Sequence, residues 1–375
     1  MRIAIAMGPW FPVPAIQGGA VPRFWQGLAE QFAAAGHQVT MLCRRHPQQP
    51  DDEVLNGVRY VRRGGFPQSP NIWIDLVKDL VYAITTTPTL PRSDVLVIND
   101  FWLPAFAQFH PWVDKVVVNV ARFPKGQFRL YQYVDQFAVV SRPIQAAIAQ
   151  QYPAVNDRMR VIPNAIDTSI FYPNPSPPIQ RSKKVLLYVG RLHPEKGVHL
   201  LIDAFAKFSQ RFPHVTLRIV GPAKGNQGGG GDEYLTMLKQ KASGLDVEFV
   251  GSIFDPHQLA DVYRNADLFC YPSLAEKGES FGVAPLEAMA CGLVPVVSNL
   301  ACFQDFIEHK KTGYIFDHQS TQSINQLVLT LETAFLNKSD ICKIANNAAQ
   351  KALQYGYESI AQQYLIEFEQ LLKAR

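Results

Sequence analysis

Two basic side chains occur in a short segment that follows a predicted β-strand. Arg191 and Lys196 lie in the sequence Val-Gly-Arg-Leu-His-Pro-Glu-Lys-Gly of residues 189–197. Arginine offers a planar fork for phosphate oxygens, and lysine offers a compact positive charge. Two fixed cations stabilise the negative charge that builds on a departing phosphate. The segment therefore predicts a phosphate-binding loop, with two solvated surface cations as the alternative.

A second segment, residues 279–292, combines two carboxylates with the start of a predicted helix. Pro285 suits a first helical turn, and Gly292 ends the helix. Gly282 comes just before the helix, where free backbone N–H groups and the helix dipole attract a phosphate. Glu287, in the helix, could accept both hydroxyls of a ribose, and Glu279, in the preceding loop, could accept hydroxyls of a transferred sugar.

Each of these glutamates alone is explained more simply as a solvated side chain. A glycosidase would also use two carboxylates, roughly 5 to 9.5 Å apart. Nothing in that mechanism requires phosphate-binding cations, so Arg191 and Lys196 favour a phosphate-containing substrate over a plain glycoside.

Composition limits the class of protein. The chain has 375 residues, with 47% hydrophobic and 18% charged residues, which suits two globular domains. The net charge of +4 comes with no dense basic stripe, so no nucleic-acid partner is predicted. A net charge of this size is compatible with the binding of anionic small molecules and with weak contact with an anionic membrane surface. The five cysteines have no zinc-site spacing, which favours a reducing, cytoplasmic location.

Two series of short, β-branched strands alternate with helical stretches. In the first half the predicted strands are 2–6, 38–43, 94–99, 115–120 and 136–140, and in the second half they are 184–190, 216–221, 246–250, 267–271 and 294–298. Continuous apolar strands separated by helices indicate parallel sheets. The sequence therefore predicts an α/β protein of two Rossmann-like, doubly wound domains that face each other across a cleft.

We place an N-terminal domain at residues 1–170, a proline-rich linker at 171–182, a C-terminal domain at 183–354 and a final helix at 355–375 that packs back on the N-terminal domain. The glycine-rich patch 225–231 is predicted to be a mobile loop. The N-terminal residues do not read as a signal peptide, and no membrane-spanning stretch is predicted. The stretch 72–84 is predicted to be a helix that covers a core or lies on a membrane.

Several segments together resemble the family-4 retaining glycosyltransferases of the GT-B fold, also called group 1 glycosyltransferases. The C-terminal signature is the most specific part of this resemblance. The segments are Gly190–Leu192 with Glu195–Gly197, Ala266–Ser273, the Glu279/Glu287 block, Pro12 with Gly18 and Gly19, Asp135 with residues 139–141, and residues 162–167.

The resemblance implies a retaining transfer of a hexose from a UDP or GDP sugar to a hydroxyl acceptor, without a metal or another cofactor. The acceptor would be a glycan, a lipid or a small metabolite, bound by the N-terminal domain. The catalytic residues that it implies are Arg191, Lys196 and Glu279; the donor-binding residues are Gly19, Ile253, Ser280, Phe281, Gly282, Val283 and Glu287; those on the acceptor side are Gly18, Asp100 and Arg122.

The sequence departs from the family pattern at Ala121, where many relatives have a histidine. Asp100 or Arg122 could serve in its place, although Asp100 could equally cap a helix. An aromatic cluster within residues 101–112 is predicted to pack in the core rather than to line an acceptor pocket. Two further hypotheses are a GT-B-fold nucleotide-sugar epimerase and a non-catalytic nucleotide-sugar-binding protein; the oligomeric state is not predicted.

Overall fold

The structure is a computed structural model that describes residues 1–16, 20–69, 71–174 and 183–374. It divides into two compact units. Unit 1 comprises Met1–Ala165 and Tyr357–Arg375, and unit 2 comprises Ile166–Gly356. The chain thus forms most of unit 1, then unit 2, and returns to unit 1 with its last helix.

The described part of the chain contains fourteen strands. They are β1 (Arg2–Met7), β2 (Gln38–Arg44), β3 (Asp52–Leu55), β4 (Val58–Arg63), β5 (Ser93–Asn99), β6 (Val113–Val120), β7 (Gln136–Val139), β8 (Met159–Val161), β9 (Lys184–Val189), β10 (Val215–Val220), β11 (Val247–Gly251), β12 (Leu268–Tyr271), β13 (Pro295–Ser298) and β14 (Tyr314–Phe316).

The same residues form eleven α-helices, which connect and cover the strands. They are α1 (Ala20–Ala34), α2 (Ile72–Thr86), α3 (Leu103–Ala107), α4 (Arg142–Gln151), α5 (Val198–Arg211), α6 (Gly231–Lys241), α7 (Pro256–Arg264), α8 (Val283–Ala290), α9 (Ser323–Leu336), α10 (Lys338–Leu353) and α11 (Tyr357–Lys373).

The described residues of unit 1 form an eight-stranded sheet in the order β3-β4-β2-β1-β5-β6-β7-β8. Neighbouring strands pair in parallel except β3 and β4, which are antiparallel. The central strands β1 and β5 are buried on both faces, as expected for a parallel sheet covered by helices. Helix α11 packs on α1 through the ring pairs Trp25–Tyr364 and Phe32–Phe368.

Unit 2 contains a parallel sheet of six described strands in the order β11-β10-β9-β12-β13-β14. Strand β9 lies in the middle and is buried from Val185 to Val189. Because all these strands run in one direction, their carboxyl ends meet at one edge of the sheet, where open α/β sheets bind ligands.

The prediction of two doubly wound α/β domains is confirmed. Each of the ten predicted strands is present, with ends that differ by at most two residues. The prediction omitted β3, β4, β8 and β14, of which β3, β8 and β14 lie at sheet edges. In the described part of the chain, no helix is both long enough and apolar enough to cross a membrane. Cys43, Cys270, Cys291 and Cys302 are buried free thiols.

Candidate active site

The predicted donor-binding residues that the structure describes follow three strands of unit 2. Strands β9, β11 and β12 end at Val189, Gly251 and Tyr271. The loops that leave them contain Arg191 and Lys196, then Ile253, then Glu279 and the start of α8. The site is therefore assembled at the carboxyl edge of one parallel sheet.

The loop after β9 turns sharply before it enters α5. The ring of His193 accepts a hydrogen bond from the Glu195 N–H, and residues Pro194–Lys196 form one turn of 3₁₀-helix. Gly197 has φ +68°, and a Cβ there would overlap the carbonyl oxygen of Pro272. A glycine is needed for both reasons. It lets the loop after β9 touch the loop after β12, so that residues from both form one site.

Arg191 lies at the start of this loop with two of its N–H groups engaged. Its Nη1 donates to the carbonyl oxygen of Gly228 at 2.8 Å, and its Nη2 donates to Oε1 of Glu195 at 2.9 Å. The side chain is 43% exposed. A guanidinium carries five N–H donors, so Arg191 can contact an anion while these two contacts fix its position.

Lys196 and Glu279 form a buried ion pair. Lys196 Nζ lies 2.7 Å from Glu279 Oε2, and the two residues are 4% and 8% exposed. The Tyr271 hydroxyl donates to the same oxygen at 3.2 Å. Burial and the Glu279 charge raise the pKa of Tyr271 well above its usual value, so this hydroxyl keeps its proton. The carboxylate of Glu279 is thus fixed between a cation and a phenol.

The loop that contains Glu279 is anchored to the loop that contains Lys196. The Leu274 N–H donates to the Glu195 carbonyl oxygen at 2.7 Å, and the Glu279 N–H donates to the Ala275 carbonyl oxygen at 2.9 Å. Glu195 therefore contributes twice, because its carboxylate holds Arg191 and its backbone holds the Glu279 loop.

Helix α8 begins directly after Gly282, as predicted from the sequence. Gly282 has φ +88°, and a Cβ there would overlap the ring of Phe303. The first turn of α8 contains no acidic residue, and Ser280 and Val283 beside it are half-buried. The first N–H groups of a helix have no partner within it, so this end suits an anion.

Phe281 lies differently from the other predicted donor residues. Its side chain is buried, and its ring packs against the rings of Phe306 and Tyr355, with centroid distances of 5.2 and 6.0 Å. Phe281 thus anchors the loop to the core of unit 2.

Glu287 lies one turn into α8 and is half-buried. Its Oε2 accepts a hydrogen bond from the buried Tyr263 hydroxyl at 3.0 Å. Burial and the Glu287 carboxylate raise the pKa of Tyr263 well above its usual value. Ile253 follows β11 and is half-buried. Glu287 is therefore held by Tyr263, whereas Glu279 is held by Lys196 and Tyr271.

Four residues with a place in this site were not assigned to it from the sequence: Glu195, Gly228, Tyr263 and Tyr271. Glu195 and Tyr271 lie within the recognised motifs, so their position in the motif was an available signal. Gly228 lies in the glycine-rich patch, which was predicted to be mobile. In the structure this patch is held by hydrogen bonds from Gly228 N to Gly225 O, from Gly229 N to Lys224 O and from Arg191 to Gly228 O.

The acceptor-side predictions fall in unit 1. Asp100 follows β5, and its Oδ1 accepts hydrogen bonds from the N–H groups of Trp102 and Leu103 at 3.0 and 2.8 Å. It therefore holds the turn that leads into α3, a structural role close to the helix cap that was one of the two roles predicted for it, although the N-cap residue itself is Trp102. Burial and the neighbouring Asp79 carboxyl hold the pKa of Asp100 well above its usual range. Arg122 is exposed after β6, the strand next to β5. Gly18 and Gly19 lie outside the described residues.

The prediction that the aromatic cluster packs in the core is wrong for three of its members. Phe106, Phe109 and Trp112 are 36%, 67% and 59% exposed. Among the residues that the structure describes, no group of three or more His, Cys, Asp or Glu side chains is arranged to hold a metal ion.

Comparison with known proteins identifies the family. The model for group 1 glycosyl transferases matches residues 174–351, and that for glycosyltransferase family 4 matches residues 18–170. The phosphatidyl-myo-inositol mannosyltransferase of Mycobacterium tuberculosis is 31% identical over 400 residues, covering 98% of this chain and 97% of that protein. This chain belongs to the group 1, family 4 glycosyltransferases.

Solved structures show the fold of this glycosyltransferase independently. A sucrose-phosphate synthase from Thermosynechococcus elongatus superimposes with a TM-score of 0.77 at 21% identity, over all of both chains. Anabaena HepE in complex with UDP and glucose gives a TM-score of 0.75 at 19% identity, over 99% of this chain and 100% of HepE. The GT-B fold is thereby confirmed. The family match, which shows a glycosyltransferase, excludes the glycosidase interpretation of the two glutamates.

Proposed function

We propose that this glycosyltransferase moves a hexose from a UDP or GDP sugar to a hydroxyl acceptor and retains the configuration at the anomeric carbon. The observation that supports this most is the arrangement at the carboxyl edge of the unit 2 sheet. There, two cations and two carboxylates accompany the start of α8.

In this proposal the diphosphate binds to Arg191, Lys196 and the first N–H groups of α8. Arg191 is already oriented by Glu195 and Gly228. Lys196 contacts Glu279, and its ammonium carries three N–H donors, so it can also contact phosphate. Both cations are thus held in position before charge develops on the leaving phosphate, which is the condition for effective electrostatic catalysis.

The two carboxylates bind different parts of the donor. Glu287, held by Tyr263, accepts the hydroxyls of the ribose, and Ile253 packs on the base. Glu279, held by Lys196 and Tyr271, accepts hydroxyls of the hexose. Fixed acceptors of this kind orient the sugar for reaction.

The reaction is balanced without a further co-reactant. The bond between the anomeric carbon and the diphosphate oxygen breaks, and a bond to the acceptor oxygen forms on the same face of the sugar. The acceptor proton passes to the departing phosphate oxygen. We propose that no metal is required, because Arg191 and Lys196 supply positive charge at the phosphates.

The relatives suggest donors and acceptors to test. HepE was solved with UDP and glucose, and the mycobacterial relative is named a mannosyltransferase that acts on phosphatidyl-myo-inositol. We therefore propose a glucose, galactose or mannose donor and keep glycan, lipid and small-metabolite acceptors as candidates. A cytoplasmic location is proposed on the basis of the buried free cysteines.

A donor panel tests this proposal. Each UDP and GDP hexose is added to the purified protein, and the thermal midpoint is measured, since a ligand of the folded state raises it. The donor that stabilises is then incubated with acceptor extract, with and without EDTA, and the product is analysed by NMR. We expect transfer in both samples, with the anomeric configuration of the donor.

Two results would contradict the proposal. A converted sugar that is still attached to its nucleotide, formed without acceptor, would favour the epimerase hypothesis. Stabilisation by a donor without any product across the acceptor extracts would favour a non-catalytic binding protein.

A further inference from the structure

Helix α2 presents an apolar face to solvent. Six large apolar side chains on this helix are between 44% and 74% exposed: Ile72, Trp73, Ile74, Val77, Val81 and Ile84. Trp73, Val77, Val81 and Ile84 are spaced by four, four and three residues, so they form one stripe along the helix. We call these six side chains the α2 face.

The opposite side of α2 is the one that packs on unit 1, and it buries polar side chains. Asp79 and Tyr82 are buried there, and the Tyr82 hydroxyl donates to the Met7 carbonyl oxygen at 2.8 Å. The helix start is capped by Asn71, whose side chain accepts from the Trp73 N–H. The usual arrangement of a surface helix is thus inverted. The hydrogen bond of Tyr82 and the cap by Asn71 fix this orientation of α2. The exposed apolar face is therefore a fixed part of the folded structure.

Further apolar side chains continue from α2 along the same unit. The Trp102 indole donates to the Leu76 carbonyl oxygen at 3.0 Å, which attaches the α3 segment to α2. Beyond α3, the exposed rings of Phe109 and Tyr133 contact each other, with their centroids 5.5 Å apart. Scattered apolar side chains are normal on a surface, but a run of this size indicates a binding surface.

Basic charge accompanies this surface. Residues 115–134 contain four basic residues and no acidic one, and Arg122, Lys125 and Arg129 among them are exposed. The Gln108 side chain, just after α3, bonds to the carbonyl oxygen of Leu130, next to Arg129. The residues of unit 1 comprise eighteen basic and fourteen acidic side chains, whereas those of unit 2 comprise eighteen of each. The net charge of +4 therefore belongs entirely to the unit that has the α2 face.

We propose that the α2 face docks unit 1 on a bilayer that contains anionic lipid headgroups. A helix with a broad apolar face lies in the membrane interface, and tryptophan favours the headgroup level. The exposed side chains of Arg122, Lys125 and Arg129 complement the anionic surface, which attracts each by electrostatics. A protein partner would not require this pairing of an uncharged apolar face with net positive charge. The inference is independent of the donor chemistry, because it concerns binding without turnover.

Vesicle co-sedimentation tests the inference with the full-length protein. The vesicles are phosphatidylcholine alone or phosphatidylcholine mixed with phosphatidylglycerol. We expect binding to the mixed vesicles and loss of most of it in the double variant Val77→Asp/Val81→Asp. The matched control is Leu329→Asp, which places a charge on an equally exposed apolar position of α9 in unit 2 and leaves binding unchanged.

A second variant tests the contribution of charge. Lys125→Gln/Arg129→Gln is expected to weaken binding to the mixed vesicles by roughly tenfold or more. Circular dichroism shows whether each variant remains folded. If the wild-type protein binds neither vesicle, or if Val77→Asp/Val81→Asp binds as well as the wild type, the inference is wrong. A dimer of the wild-type protein that the same variant converts to a monomer, without vesicle binding, would instead assign the α2 face to a second copy of the chain.

Discussion

Lys196 Nζ lies 2.7 Å from Glu279 Oε2 in the interior of unit 2, although the two residues are 83 positions apart in the chain. The pair joins the loop after β9 to the loop after β12. Both loops contain residues that we assign to the donor, so this contact holds the site together before any ligand binds. It also makes the stability of unit 2 depend on groups that we propose for donor binding.

Removal of one partner of the Lys196–Glu279 pair should therefore lower the free energy of unfolding strongly. Lys196→Met leaves a buried carboxylate without its cation, and we expect a loss of about 3 kcal/mol in the free energy of unfolding. The double variant Lys196→Met/Glu279→Gln should recover most of that loss, because no unpaired charge remains. Urea unfolding measures both. Asp52→Asn, which breaks the exposed Arg59–Asp52 pair, is the control and should cost no more than about 1 kcal/mol.

Tyr263 should support nucleotide binding through Glu287. Tyr263→Phe removes the hydroxyl that donates to Glu287 Oε2, and a hydrogen bond of this kind contributes about 1 kcal/mol. We expect roughly fivefold weaker binding of the nucleoside diphosphate by calorimetry. Tyr82→Phe removes a buried hydroxyl in unit 1 and should leave that affinity unchanged. Equal losses of affinity in both variants would mean that the effect is general destabilisation.

Gly282 should tolerate no side chain. Gly282→Ala combines a left-handed backbone with overlap against the ring of Phe303, and we expect a loss of about 3 kcal/mol in stability. Gly244 also has a positive φ, but open space surrounds the position of its Cβ. Gly244→Ala should therefore cost only about 1 kcal/mol. Thermal or urea unfolding of the two variants separates the overlap from the backbone strain, and similar losses in both would contradict the packing at Gly282.

Asp79 and Asp100 should make stability fall as the pH rises. Burial raises the pKa of both carboxyls above the usual value, and the neighbouring Asp79 carboxyl raises that of Asp100 further. The folded state therefore keeps a proton that the unfolded chain releases near pH 4, and the stability that this proton provides is lost as the pH rises above that value. Asp79→Asn should flatten this slope in urea unfolding measured from acidic to neutral pH.

Asp94 provides the opposite case for comparison. Its hydrogen bond with Arg2 lowers the pKa of Asp94, so the stability that it contributes is present at neutral pH and is lost as the pH falls. Asp94→Asn should therefore destabilise the protein at neutral pH. A wild-type protein whose stability rises steadily between pH 4 and pH 7, with no change of slope in Asp79→Asn, would contradict the acid pair.

The sequence indicated the sheets and the donor loops because both are local signals. Apolar strands and the motif residues 189–197 and 279–287 can be recognised without any partner. The hairpin β3–β4 could also have been found, since Asn56 and Gly57 both have positive φ and Asn-Gly is a strong hairpin signal. The Lys196–Glu279 and Tyr263–Glu287 contacts could not have been predicted from the sequence, because only the folded chain brings these residues together.

Helix α2 shows a different limit of sequence reasoning. Its apolar periodicity predicts a helix but does not say which face is buried, and ordinary experience assigns the apolar face to the core. The structure buries Asp79 and Tyr82 and exposes Trp73 instead. The choice depends on tertiary partners such as Met7, which the local sequence does not show.

The most direct test of the donor site compares two lysines of unit 2 that lie at opposite ends of strand β9. Lys196 follows the carboxyl end of β9, whereas Lys184 begins β9 and pairs with Asp267 at the opposite edge. Isothermal titration of the preferred nucleoside diphosphate into Lys196→Ala should show roughly 10- to 100-fold weaker binding than the wild type. Lys184→Ala should bind as the wild type does. Unchanged affinity in a folded Lys196→Ala protein, or an equal loss in both variants, would contradict the assignment of the diphosphate to this edge of the sheet.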